Sequence, residues 1–228
     1  MIYNNIAILE GFLEVMINKT KLYSDIKKIP KLLFSLGIMS FGISLLRMSG
    51  FGLDAWGTLH EGLHLYSDIS FSTISISLGL FILVISILFK IYPGIGTFIN
   101  IISVGPMVDF FSVNINLPIY ARFLFVLFGF IITNFGRAYY ISINLGAGPR
   151  DALYTSISKF TKITVSLSKP IIELITIIIG VSLGAPFGIG LIIMTLWSGY
   201  LISFFFKKLK YNLNQNSSTL VDYILKIK

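Results

Sequence analysis

The sequence predicts an all-α polytopic membrane protein, with six transmembrane helices arranged as a 3+3 inverted repeat and two short half-helices. Three observations predict it. Hydrophobic residues make up 55% of the 228 positions and charged residues only 12%, far from a soluble globular composition. Residues 69–89 run for 21 positions without a charge and residues 174–206 for 33, and uncharged apolar stretches of that length read as spanning helices. Finally, the chain matches itself. Shifted by 94 positions without a gap, residues 34–111 coincide with residues 128–205 at 17 positions, five of them glycines. Glycine recurs where backbones approach closely or turn sharply, so the doubling is one of architecture.

Taken in order, residues 2–17 carry Ile2, Ile6, Leu9, Phe12, Leu13 and Met16 at helical spacing, with Glu10 and Glu14 on another face. That pattern predicts an interfacial helix rather than a span. Spans are expected at 32–47, 70–89 and 95–111, then at 119–142, 164–183 and 189–206. Between the first and second span of each half lies an amphiphilic piece, 53–66 and 149–160. Each is too short to cross a hydrocarbon core of ~30 Å. Each follows glycines, so each is expected to be a half-helix dipping into the bundle, the alternative being a helix lying flat on the surface. Four segments result: 1–31, an N-terminal interfacial and cytoplasmic segment; 32–112 and 119–206, the two three-span repeats; and 207–228, a loosely ordered cytoplasmic tail. Residues 1–31 lack the pattern of a cleaved signal peptide, so the first span is expected to serve as an uncleaved signal.

Counting Lys and Arg orients the chain. Fourteen of the 18 basic residues fall in segments assigned to the cytoplasm, none falls in an outside loop, and Arg47, Arg122, Arg137 and Lys169 lie in or at the ends of spans. The positive-inside rule then puts both termini in the cytoplasm. Three spans per half is an odd number, so the second half enters the membrane upside down. The half-helix after Gly52 opens outside and the one after Gly146 opens inside. Their N-termini can meet mid-membrane, where free N–H groups and the dipole favour anions or polar groups. The net charge of +8 sits in loops and tails, which suits lipid headgroups and not a nucleic-acid face. With no cysteine, disulfides and thiolate metal sites are excluded.

The string Gly50-Phe51-Gly52-Leu53-Asp54-Ala55-Trp56-Gly57-Thr58-Leu59-His60-Glu61-Gly62 resembles the first signature of the YczE/YyaS/YitT family of bacterial integral membrane proteins. Tyr92-Pro93-Gly94-Ile95-Gly96-Thr97, Gly146-Ala147-Gly148-Pro149-Arg150-Asp151 and Pro186-Phe187-Gly188-Ile189-Gly190 agree with it. The resemblance covers about residues 33–206 and implies a multi-pass protein of the bacterial plasma membrane, its biochemical role poorly defined. Two positions depart from the family pattern. Ala55 stands where a proline usually follows the aspartate, and Lys169 where an arginine usually precedes Glu173 by four, keeping the charge but losing a planar bidentate donor.

His60-Glu61-Gly62-Leu63-His64 matches H-E-x-x-H, which can hold zinc beside a glutamate base. His60 and His64 are the only histidines, so a third ligand would have to be Asp54, Asp68, Asp109 or Glu173. Asp54 falls off their helical face, and the second copy, at 154–158, lacks both imidazoles. The match is read as incidental, His60 and Glu61 as polar packing, and no cofactor, metal or catalytic residue is expected. Charges inside spans cost a few kcal/mol each unless paired or hydrated. Glu173 is either a partner of Lys169 in a structural salt bridge or a proton, cation or counter-ion site with Arg137 or Arg150. Arg150 and Asp151 either bind an anionic group or pair with each other at the helix start. Trp56 and Trp197 are expected at interfaces or in packing, with a cavity wall as the minority role. Gly52, Gly94, Gly96, Gly146, Gly148, Gly188 and Gly190 are read as structural glycines permitting turns and close helix contact.

Doubled membrane units commonly build transporters, with substrate held where the halves meet. The leading expectation is therefore a carrier or channel for a small polar solute. Substrate-binding candidates are Asp54, Trp56 and His60 from outside, Pro149, Arg150 and Asp151 from inside, and Glu173 and Arg137 between. Rival readings are a membrane adaptor or regulator of a partner protein and an intramembrane zinc protease. The partner expected in every case is the lipid bilayer, not nucleic acid, and homo-oligomerisation is left open.

Overall fold

The computed structural model describes residues 19–113, 115–146, 148–211 and 217–223, the side chains of Lys19 and Lys159 excepted. The interfacial helix expected at residues 2–17 lies outside the described residues. Among these, the chain forms nine α-helices and one 3₁₀ turn, with no strand.

Helix boundaries follow local chemistry. α1 (Lys19–Ile26) leads into α2 (Ile29–Ser49), which carries proline in its first turn, where a missing N–H costs nothing. α2 stops at Gly50, whose left-handed backbone (φ 68°) returns its N–H to the Arg47 carbonyl in the usual glycine termination. α3 (Ala55–Ser67) starts at Asp54, whose carboxylate accepts the Gly57 N–H at 2.9 Å. α4 (Phe71–Leu88) starts at Ser70, whose hydroxyl accepts the Thr73 N–H. Both are N-caps of the favoured type. α5 (Ile95–Phe111) follows Gly94, and α6 (Ile119–Ser142) follows Pro118. α7 (Pro149–Thr161), α8 (Val165–Ser182) and α9 (Ile189–Lys208) complete the bundle.

Five stretches are long and apolar enough to cross a membrane: Thr20–Ser49, Phe71–Leu88, Ile119–Ser142, Val165–Ser182 and Ile189–Lys208. Ile95–Phe111 is apolar but, at 17 residues, shorter. Phe81, Phe110, Phe128, Ile178 and Trp197 stand exposed around the bundle. Exposed apolar surface of that extent suits contact with lipid.

The packing holds a regular pattern. α2 and α6 make the most extensive contact; α5 lies on α2, and α9 on α6. α3 packs on α8, and α7 on α4, so each 13-residue helix rests against a long helix of the other half. Ala55–His60 of α3 and Ala152–Tyr154 of α7 are buried, while Asp151 and the helix ends Tyr66 and Phe160 are exposed. Both helices thus pack into the bundle by their N-terminal parts. Glycine makes the crossings close. A Cβ on Gly42 would strike the Thr133 backbone, and one on Gly136 would strike Met39 at 2.5 Å. Gly62 and Gly180 stand back to back where α3 meets α8.

α9 runs on through Lys208, and the 3₁₀ turn Leu220–Tyr223 buries Tyr223. The Tyr223 hydroxyl donates to Asp25 Oδ2 at 2.9 Å, and Lys28 donates to Asp25 Oδ1. Lys21 reaches Asp222 at 3.3 Å. The Ser218 and Leu220 N–H groups donate to the carbonyls of Asn144 and Pro93. Burial, with Asp25 alongside, pushes the Tyr223 phenol above its usual range, so it remains a donor at neutral pH. The tail's polar composition hid this, because these bonds go to loops distant in sequence.

Candidate functional site

The two buried helix starts face one cavity of about 310 Å³. Asp54, Trp56 and His60 reach it from α3 and its cap, and Pro149, Arg150 and Asp151 from α7. Arg137 comes from α6, and Lys169 and Glu173 from α8. All eight substrate-binding candidates read from the sequence therefore line a single space. Positions related by the 94-residue shift line it in pairs: Ile43 and Arg137, Asp54 and Gly148, Trp56 and Arg150, His60 and Tyr154, Ser75 and Lys169, Gly79 and Glu173. The lining positions pair under the shift but their charge does not. Five of the six charged lining residues lie in 119–206, with Asp54 alone from the first half.

Asp54 is the hub. Its Oδ2 accepts from Arg137 Nη2 at 2.7 Å and from Arg150 Nη1 at 2.8 Å, while Oδ1 caps α3. One carboxylate thus joins α3, α6 and α7. Charge-assisted bonds of this kind are roughly twice as strong as neutral ones. The Arg150 guanidinium also lies over the Trp56 ring, 5.7 Å from its centre, a favourable cation–π placement. A second chain of bonds runs beside it. Trp56 Nε1 donates to the Tyr154 hydroxyl at 2.8 Å, which donates to Glu173 Oε1 at 3.1 Å. This fixes Trp56 in the cavity wall, the minority role expected for it; Trp197 is exposed on the outer face.

Three expectations from spacing resolve differently. Lys169 and Glu173, four apart on one helix, make no ion pair within 4 Å; Glu173 turns to Tyr154 instead. Arg150 pairs with Asp54 and not with its neighbour Asp151. In the H-E-x-x-H string the residues go separate ways. His60 is buried with its ring edge-on to Phe71, and His64 Nδ1 lies 2.6 Å from the Ile69 carbonyl. Among the described residues no group of three His, Asp or Glu is placed to hold a metal.

Tyr140, Tyr154 and Asn100 also line the cavity and escaped the sequence reading because they carry no charge. One signal pointed to Tyr154: it stands 94 positions after His60.

A separate charged cluster lies a turn beyond the cavity. Arg47 Nε donates to Glu61 Oε2 at 2.6 Å and Nη1 to Asp109 Oδ1 at 3.1 Å. Asp109 Oδ2 accepts the Ser72 N–H at the start of α4, and the Arg47 guanidinium stacks over Phe71. Four elements, α2 to α5, are tied at one point.

A family model described as "Family of unknown function (DUF6198)" matches residues 26–207. The chain is 30% identical over 173 residues to the uncharacterized membrane protein YczE of Bacillus subtilis (strain 168), covering 73% of this chain and 80% of that protein. It is 28% identical over 181 residues to an uncharacterized protein of Haemophilus influenzae, covering 78% and 83% respectively. No solved structure matches the chain.

Proposed function

The chain belongs to the DUF6198 family of YczE-like membrane proteins, and from that premise we propose that it is a carrier or channel for a small polar solute. The observation that carries the reading is the polar cavity at the meeting of α3 and α7, lined by six charged side chains. Charges in a membrane interior are costly and mark solute or ion paths. Non-spanning helices at that depth are tolerated where they line a cavity. An adaptor, which has no solute to hold, would be packed solid at Glu173; here Glu173 faces open space. The reading has no catalytic step, and treats the H-E-x-x-H string as packing.

In this reading α2, α4, α5, α6, α8 and α9 are six spans in two inverted halves of a plasma-membrane protein. What supports a two-fold relation between the halves, which three spans per half would make an inverted one, is reciprocity. Gly96 N–H donates to the Leu145 carbonyl at 2.7 Å, and Gly190 N–H to the Phe51 carbonyl at 2.8 Å. Adding 94 to the first donor and subtracting it from the first acceptor yields the second pair, as a two-fold axis between the halves requires. Both termini on the cytoplasmic side is supported by the bond from Tyr223 to Asp25, which holds the two ends together on one face. Rocking of one half against the other would expose the cavity alternately.

The absence of native cysteine makes the test clean. A single Ser75→Cys on the cavity wall should react with a membrane-impermeant maleimide added from either side of the membrane. Reaction from one side only, or from neither, would reject the carrier and channel readings together.

A further inference from the structure

We propose that the solute is a small zwitterion, one carrying a carboxylate or sulfonate and an ammonium group, as free amino acids do. This rests on the reading of the cavity as a solute site and adds the chemical class. Charge distribution carries it. Arg137 and Arg150 share a single carboxylate oxygen of Asp54, so two cations face one anion there. Asp151, in the first turn of α7, lies in the field of Arg137, Arg150 and Lys169 beyond ion-pair distance, so at that end of the cavity three cations stand against two carboxylates. Helix N-termini add to the attraction for an anion.

The opposite surplus lies at Glu173. Its Oε1 takes the Tyr154 hydroxyl, a neutral donor. Among the described residues, neither Glu173 nor Asp151 has a cation within the 4 Å of an ion pair. The lining therefore sums to zero with its poles apart: surplus positive at the arginines, surplus negative at Glu173. A net anion or net cation entering would leave a whole charge uncompensated at low dielectric, which is strongly unfavourable. A dipolar, neutral solute satisfies both poles. Its anionic group accepts from arginine N–H groups that Asp54 does not use, and its ammonium donates to Glu173 Oε2. The cavity of about 310 Å³ equals the liquid volume of about ten waters, which sets the solute's size at that of a small amino acid or betaine.

The test uses the purified full-length protein in detergent, followed by thermal unfolding and calorimetry. The probes are the standard L-amino acids, glycine betaine and taurine, and for each hit its decarboxylated amine and its deaminated acid. At least one zwitterion should raise the melting temperature, since a ligand bound only by the folded form stabilises it. Its amine and acid counterparts should not. Glu173→Gln should keep the fold, because the Tyr154 bond survives with an amide acceptor, and should weaken the hit about tenfold or more, the worth of one charge-assisted bond. Three outcomes overturn the proposal: no shift with any zwitterion, an acid counterpart that binds as well as its zwitterion, or a Glu173→Gln protein with unchanged affinity. Two-sided labelling of Ser75→Cys without zwitterion binding removes the ligand class and leaves the carrier. Zwitterion binding with one-sided labelling does the reverse.

Discussion

At the residue scale Asp54 does two jobs that only a short carboxylate can combine. One oxygen caps α3 and the other collects two guanidinium groups. Asp54→Asn separates the jobs, because asparagine caps as well as aspartate but carries no charge for Arg137 and Arg150. With the side chains of Asp54 and Arg137 only 14% and 24% exposed, leaving the arginines uncompensated should cost ~3 kcal/mol, in the range for breaking a buried pair. Denaturation of the purified variant measures it, and adding Arg137→Gln to Asp54→Asn should recover part of the loss through the coupling of the pair. If the single variant is as stable as the parent protein, Asp54 is not the hub of these three helices. The charged residues of this site were legible in the sequence because a charge inside an apolar run needs a reason. Tyr154 and Asn100 were not, since a tyrosine or asparagine in such a run is cheap enough to pass unnoticed. The Lys169–Glu173 pair misled for a related reason: spacing places two side chains on one face but is silent about a competing hydroxyl from another helix.

At the scale of elements, helix positions were almost fully readable, and the expected bounds 95–111 and 119–142 coincide with α5 and α6. The depth of α3 and α7 was not, since thirteen residues suit a dipping helix and a flat one equally. In the folded protein glycine sets how closely helices cross, Gly62 meeting Gly180 where α3 crosses α8. Gly136 is a clear case in the α2–α6 contact, because its neighbour at Met39 is backbone and cannot swing aside. Gly136→Ala should therefore destabilise by about 1–3 kcal/mol, the cost of overpacking. Gly37, on α2, has open space within 4 Å of where a methyl group would stand. Gly37→Ala should be neutral or gain up to ~1 kcal/mol from helix propensity. The two variants differ from the parent by the same methyl group, so the difference in their melting temperatures reports the crossing alone. Equal effects would mean that α2 and α6 are not held at this distance.

Across the whole molecule glycines pair under the 94-residue shift while charges do not, and the ionic cluster at Arg47 is the clearest departure. Its members Arg47, Glu61 and Asp109 correspond under the 94-residue shift to Ile141, Thr155 and Ser203, none of which carries charge. One end of the proposed carrier is thus tied by ion pairs across α2, α3, α4 and α5, while at the other end the shift-related positions carry no charge and a different tie runs through the tail, from Lys21 to Asp222 and from Tyr223 to Asp25. In an inverted repeat the two access states exchange the packing of the halves, so a lock present at one end biases which state is populated. Ligands and mutations move such an equilibrium only by the free energy that differs between states, and these ion pairs are the largest such difference between the two ends. Arg47→Gln removes the bias: labelling of Ser75→Cys should become faster from the side of Glu61 and Asp109 and slower from the opposite side. The ratio of the two rates is the readout, since a variant that is merely less stable would change both rates in the same direction. A ratio unchanged by Arg47→Gln would make the cluster a structural tie and leave the asymmetry of the two ends without a part in access.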